Sequence, residues 1–231
     1  MLIEAHPVSP WQANCYLVAA GSGDSAQPTA CLVVDPGIAS LDVITHALEG
    51  RRWQPAAVVL THGHIDHAGD AHAVAARWGV PVYCAEADQP MLQRPSLGLG
   101  TSFVGIIEEF LGADALPLPA DLRPLVEPFE VAGLRVRPHR APGHTQGSTL
   151  LEVSDGGSSV VFTGDVVFAG TIGRTDLPGG NMSEMRETLR RIRSSFPEDV
   201  PLLPGHGPDT TLAAERLSNS YLHDSYLHHE M

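Results

Sequence analysis

Apolar positions along this chain fall into two spacings. Largely apolar runs at 14–19, 30–34 and 56–60, bounded by turn residues, predict strands, the last of them buried. After the turn Asp35-Pro36-Gly37, Leu41, Ile44 and Leu48 recur at helical spacing and predict a helix. A second helix is predicted over 68–78, stopped by Gly79 with Pro81 beyond, and a short strand over 80–84. Residues 86–128 are irregular and proline-rich, with one amphipathic piece at 106–111; in a compact domain such a segment forms a lid or rim. Strand patterns return at 134–137, 149–153 and 160–162, and a short apolar run at 200–203. Asn181, with Glu184 three residues on, predicts the start of a helix whose buried face is Met182, Met185, Leu189, Ile192 and Phe196. A last helical stretch begins near Thr210. Strands alternating with helices imply helices packed on sheet, an α/β protein. No repeat or linker interrupts residues 1–231, which read as one domain.

The run at 56–60 leads into Thr61-His62-Gly63-His64-Ile65-Asp66-His67, three imidazoles and a carboxylate in six residues. These are nitrogen and oxygen donors of the kind that bind zinc, iron or manganese, and little besides a metal site needs them at this density. His62 and His64, two apart beyond a strand, can point to the same side. Asp66 and His67 follow where the chain turns toward a helix.

Composition narrows the partners. Hydrophobic residues make up 43% of the chain and charged residues 18%, as in ordinary globular proteins. The net charge of −13 argues against a nucleic-acid surface, which needs a basic stripe. All 14 basic residues of the Lys/Arg class are arginines, so an anionic substrate group would meet arginine, backbone amides or metal. No apolar stretch reaches the roughly 20 residues of a membrane span, and the N-terminus lacks the pattern of a signal peptide. Cys15, Cys31 and Cys84 sit in apolar, strand-like contexts that suit buried free thiols, which places the protein in a reducing cytoplasm.

Three later segments extend the metal motif. Pro142-Gly143-His144-Thr145-Gln146-Gly147-Ser148 sets a histidine in a glycine-bounded turn, Phe162-Thr163-Gly164-Asp165 ends a strand on a carboxylate, and Pro204-Gly205-His206-Gly207-Pro208 sets another histidine in a loop. Singly each is weak; in this order after the His-rich motif they are specific. From Asn14-Cys15-Tyr16 and Asp35-Pro36-Gly37 to His206, the chain resembles the metallo-β-lactamase-fold hydrolases.

That resemblance implies an αββα four-layer sandwich, two mixed β-sheets flanked by helices, with the site at the strand ends. It implies two divalent metal ions, zinc by preference with iron or manganese as alternatives. His62, His64 and His144 would hold the first, Asp66, His67 and His206 the second, and Asp165 would bridge them. Aspartate at 165 argues against the zinc β-lactamases, and His64 against the flavodiiron type. The run Gly173-Arg174-Thr175-Asp176-Leu177-Pro178-Gly179-Gly180 resembles the glyoxalase II (hydroxyacylglutathione hydrolase) branch. Only 25 residues follow His206, so the chain is similar to the short forms without a C-terminal helical domain that grips glutathione.

The implied activity is hydrolysis of a small-molecule thioester, in which a metal-activated hydroxide attacks the acyl carbonyl and Asp66 serves as ligand and as the catalytic group orienting the nucleophile. Alternatives are a mononuclear iron persulfide dioxygenase using His62, His144 and Asp165, a lactonase, and a metal-binding module without catalysis. Arg174 could bind a substrate carboxylate or brace its loop through Asp176. Asp35 could orient a ligand histidine or merely shape its turn. His72 and His139 read as structural or exposed, and His223, His228 and His229 as a polar tail.

Overall fold

In the computed structural model, which describes residues 1–21 and 27–227, the apolar runs become the central strands of two sheets stacked face to face. The first sheet is β1 (Leu2–Val8), β2 (Ala13–Ala19), β3 (Thr29–Val34), β4 (Trp53–Val59), β5 (Val82–Cys84) and β6 (Leu122–Pro124), in that order. β1, β2 and β3 pair antiparallel; β3 to β6 pair parallel. The second sheet comprises β7 (Phe129–Val131), β8 (Leu134–Arg140), β9 (Thr149–Ser154) and β10 (Ser159–Gly164). Beyond a two-stranded hairpin, β11 (Val167–Phe168) and β12 (Thr171–Ile172), it is completed by β13 (Pro201–Pro204) and β14 (Thr210–Thr211), giving the order β14-β13-β10-β9-β8-β7. Its pairs are antiparallel except β10 with β13, so both sheets are mixed.

Three apolar layers show why the strands read as largely apolar runs. Along β2, Cys15, Leu17 and Ala19 pack outward against α1 (Leu41–Arg51) and the helix containing Val74, whereas Tyr16 and Val18 pack inward against the second sheet. β3 and β4 divide the same way, with Val33 and Val58 outward and Leu32, Val34, Ala57 and Val59 inward. In the second sheet Leu151, Val153 and Phe162 face the first, and Leu150 and Val161 face Met185, Leu189 and Ile192 of a helix on the far side. A strand with two buried faces has no polar face to alternate with. The result is the four-layer sandwich of helix, sheet, sheet and helix. Phe162, fully buried between the sheets with Tyr16 in edge contact at 5.0 Å, is the largest such side chain. Phe162→Ala is expected to cost about 3–5 kcal/mol in chemical denaturation.

One helical and one strand expectation need correcting. The stretch 68–78 is split into α2 (Ile65–Ala68) and α3 (Ala71–Trp78). A Cβ at Gly69 would lie 2.7 Å from Ile38, so the backbones approach closely there. The Asp70 carboxylate turns away to accept from the backbone N–H of Ser40 (2.6 Å) and Leu41 (2.9 Å), capping α1 instead of its own helix. The strand expected over 80–84 begins only at Val82. Residues 86–128 contain α4 (Gln89–Gln93), α5 (Ser96–Leu99) and α6 (Val104–Leu111) before β6. Asn181 does cap α7 (Met182–Ser195), accepting from Ser183 N (2.9 Å) and Glu184 N (3.1 Å). The last helices are α8 (Leu212–Ser218) and α9 (Asp224–Leu227). The three cysteines are buried and free, and burial pushes the Cys31 thiol up to about 12. Among the described residues no helix is long and apolar enough to cross a membrane.

Candidate metal centre

The ends of β4, β10 and β13 and the turn after β8 converge on one point. β4 runs into His62 and His64; α2 follows immediately and carries Asp66 and His67. The turn between β8 and β9 carries His144, the residue after β10 is Asp165, and the loop after β13 carries His206. All seven sequence-predicted donors lie together.

They form two groups. The rings of His62, His64 and His144 make a nearly equilateral triangle, with centroids 4.9, 4.9 and 4.7 Å apart and planes nearly perpendicular. Asp66, His67 and His206 form the second group: His206 Nε2 lies 3.3 Å from both Asp66 Oδ2 and His67 Nε2. Asp165 stands between them, Oδ1 3.3 Å from His67 Nε2 and Oδ2 3.6 Å from both His144 Nε2 and His206 Nε2.

The outward nitrogens are already engaged by acceptors. His144 Nδ1 donates to the Arg174 carbonyl (2.7 Å), and His64 Nε2 to the Gly98 carbonyl (3.2 Å). His67 Nδ1 donates to Asp35 Oδ2 (3.0 Å). Thr61 Oγ1 gives its proton to Asp35 Oδ2 (2.6 Å), so toward His62 Nδ1, 3.1 Å away, it acts as acceptor. A neutral imidazole with one nitrogen donating has a bare lone pair on the other. Lone pairs of His64 Nδ1 and His144 Nε2 therefore face each other across 2.9 Å, which is repulsive without a cation between them. His62 Nε2 and Asp165 Oδ1 are buried with no hydrogen-bond partner. Orphaned buried polar atoms carry a desolvation cost that a coordinated metal removes, so these donors fit metal ions.

Proton affinities divide the groups in the same way. Burial, reinforced by the neighbouring imidazoles, holds His62 well below the ordinary imidazole value; burial and His144 bring His64 down to about 4. His67 is raised: burial opposes its charge, but the Asp165, Asp66 and Asp35 carboxylates prevail. His206 is raised over the same burial penalty by Asp66 and Asp165. Asp165 lies well below the carboxylate range because His67, His144 and His206 outweigh its burial. On one side His62 and His64 are held neutral, and on the other the carboxylates make a negative field that draws a cation.

Asp35 does both things open to it. It sits at φ 52 in its turn, a left-handed conformation that aspartate tolerates, and its carboxylate ties His67 to the Thr61 backbone N–H (2.7 Å). The Arg174 guanidinium is bidentate with Asp176 (2.7 and 2.8 Å), so it braces the loop whose carbonyl holds His144. The His206 loop is fastened to β2, where Asn14 Nδ2 donates to the Pro204 (3.0 Å) and Gly207 (2.9 Å) carbonyls and Tyr16 Oη to Pro204 (2.7 Å). At Gly205 a Cβ would come 2.2 Å from Asp165 Oδ1, so only glycine fits beside the carboxylate. Away from the centre, His72 is half-buried on α3, His139 bonds Glu152 (2.9 Å), and His223 meets the Leu217 carbonyl (3.2 Å). His228 and His229 lie outside the described residues.

Sequence reasoning missed Asp88. Fully buried, it accepts from Gly63 N (3.0 Å), Gly147 N (2.7 Å) and Thr145 Oγ1 (2.7 Å), joining the loop of His62 and His64 to the loop of His144. Its only local signal was a place two residues before Pro90, which reads as a helix start.

Comparison with known proteins gives a consistent picture. The family model described as "Metallo-beta-lactamase superfamily" matches residues 8–207. An uncharacterised protein of Mycobacterium tuberculosis is 34% identical over 96% of this chain and 98% of its own length. The probable metallo-hydrolase YqgX of Bacillus subtilis is 34% identical over 94% of this chain and 95% of its own. The hydroxyacylglutathione hydrolase GloC of Haemophilus influenzae is 28% identical over 96% and 98%. Among solved structures, BLEG-1 B3 metallo-beta-lactamase superposes with a TM-score of 0.79 at 27% identity, covering 96% of this chain and 99% of that one. TTHA1623, solved in a di-iron-bound form, gives 0.73 at 29%, covering 95% and 100%.

Proposed function

The chain belongs to the metallo-β-lactamase superfamily, and we propose that within it this protein is a dinuclear metal-dependent thioester hydrolase of the glyoxalase II type. The observation that carries this reading is the pair of donor groups either side of Asp165, each offering three ligand atoms within 4.8 Å of one another. His62, His64 and His144 would hold one ion, Asp66, His67 and His206 the other, and Asp165 both. Zinc suits this all-nitrogen-and-oxygen set, as do iron and manganese. Such ions supply a water acidified to near-neutral pKa and a Lewis acid for the acyl oxygen.

The chain's own residues would supply orientation. Asp66 lines the cleft beside the centre. Burial raises its pKa, but His67 and His206 overcome this and hold it below its ordinary value. It thus orients the attacking water as a hydrogen-bond acceptor and does not keep the proton. The water oxygen bonds to the acyl carbon and its proton passes to solvent, the C–S bond breaks, and the electron pair leaves on sulfur as a thiolate that takes up a proton from solvent. A thiol of pKa about 8.5 leaves as its thiolate without a general acid. The products are a carboxylic acid and a thiol. The substrate would be a small thioester in the cytoplasm, with no nucleic acid or membrane partner.

The test is a thioester panel run with metal analysis. Two ions per chain, thioester hydrolysis and no oxygen uptake with a persulfide are expected; one iron with oxygen uptake would establish the dioxygenase instead. β-Lactams and acyl lactones belong in the same panel, the former because of the BLEG-1 likeness. Chelation should abolish turnover and lower the melting temperature, since ions that bind only the folded chain stabilise it by mass action.

A further inference from the structure

The cleft over the metal centre, about 320 Å³, is walled by Trp11, Ile65, Leu99, Phe103 and Leu177. These residues come from the β1–β2 turn, the start of α2, the irregular 86–128 segment and the loop after β12. Four separate stretches thus deliver apolar side chains to one opening. Trp11 remains 46% exposed there, and Leu99, Phe103 and Leu177 keep accessible surface. Apolar groups left accessible beside a polar centre mark where a ligand's apolar part is covered.

Apart from the proposed metal ions, cationic side chains at the cleft are few. Among the described residues lining the cleft, Arg174 is the sole arginine, and its Nε and Nη2 donate to Asp176. A substrate carboxylate entering here would share the exposed Arg174 guanidinium with Asp176, which already offsets its charge, so that pairing adds little. Resting on the hydrolase reading above, we propose that the natural substrate is an uncharged thioester bearing an apolar or aryl group. That group lodges against Trp11, Phe103 and Leu177, and a thiol carrier bearing two carboxylates, such as glutathione, is disfavoured.

The test compares four probes on the metal-loaded enzyme: S-methyl thioacetate, S-benzyl thioacetate, and the phenylacetyl thioesters of N-acetylcysteamine and of glutathione. After correction for uncatalysed rates, at least one of the two neutral aryl probes should exceed S-methyl thioacetate tenfold or more in kcat/KM. The glutathione thioester should fall about tenfold below its N-acetylcysteamine counterpart. Trp11→Ala should cut the aryl-to-methyl ratio about tenfold. A glutathione thioester equal to or better than its neutral partner would overturn the proposal, as would no gain from either aryl group. Binding is read separately by tryptophan fluorescence with a non-hydrolysable S-benzyl thioether. Quenching that disappears in Trp11→Phe supports the apolar site, and no quenching refutes it. If no thioester is hydrolysed, the hydrolase reading falls, and the thioether titration still decides the pocket.

Discussion

Asp165→Ala is expected to lower thioester turnover about a thousandfold and to leave fewer than two metal ions per chain. Among the described residues, Asp165 is the one carboxylate within 3.6 Å of nitrogens from both donor groups. Its removal leaves each group three ligands but breaks the electrostatic link between them. Its field also contributes to the raised proton affinity of His67 and His206. Without it those imidazoles lose much of the negative potential that would draw a cation. Losing shared stabilisation of about 4 kcal/mol corresponds to a thousandfold in rate. Asp165→Asn keeps an oxygen without the charge and should fall between, with one ion retained. Metal stoichiometry by mass spectrometry and kcat on the best thioester check both. Full activity with two ions in Asp165→Ala would remove the bridging role.

The donor set was legible because its chemistry is contiguous: four donors in six residues, then three short strings in which glycine or proline flanks a histidine or an aspartate. The central strands were legible because β2, β3, β4 and β10 are buried on both faces and so carry no polar alternation. β1 was not, because Glu4, His6 and Pro7 interrupt its pattern; the strand lies at the sheet edge, where proline's missing N–H costs no ladder bond. The break between α2 and α3 was hidden because Asp70 serves the start of α1, some 30 residues earlier in the chain. Supports of the centre are long-range by nature. Asp35 and His67 are 32 residues apart, and no spacing rule couples an Asp-Pro-Gly turn to an imidazole on a helix. The sequence offered turn-shaping and ligand support as alternatives for Asp35; the fold combines them.

Asp88 is the strongest case of such hidden support, and Asp88→Ala should destabilise the fold as much as removing a large core side chain. The substitution leaves the Gly63 and Gly147 N–H groups and the Thr145 hydroxyl without their acceptor in a fully buried place. Thr145 Oγ1 also meets Ser148 Oγ at 2.8 Å, so its loss is partly covered, whereas Asp88 is the side-chain acceptor for both backbone groups. At about 1–3 kcal/mol for each buried donor left unpaired, destabilisation of about 3–5 kcal/mol is expected. Burial raises the Asp88 pKa against these donors, yet all three need an oxygen that accepts, so the ionised form is the one that fits. Asp88→Asn keeps one carbonyl oxygen but turns an N–H against a donor, and should cost less stability, about 2 kcal/mol. Its more telling effect is on metal. Gly63 lies between His62 and His64, and Thr145 and Gly147 follow His144, so Asp88 sets the spacing of all three first-group ligands. Loosening that spacing should weaken metal affinity about 10–100-fold at temperatures where Asp88→Asn remains folded. Competition titration with a chromophoric chelator reads this apart from melting. A variant that is less stable but binds metal with unchanged affinity would confine Asp88 to packing.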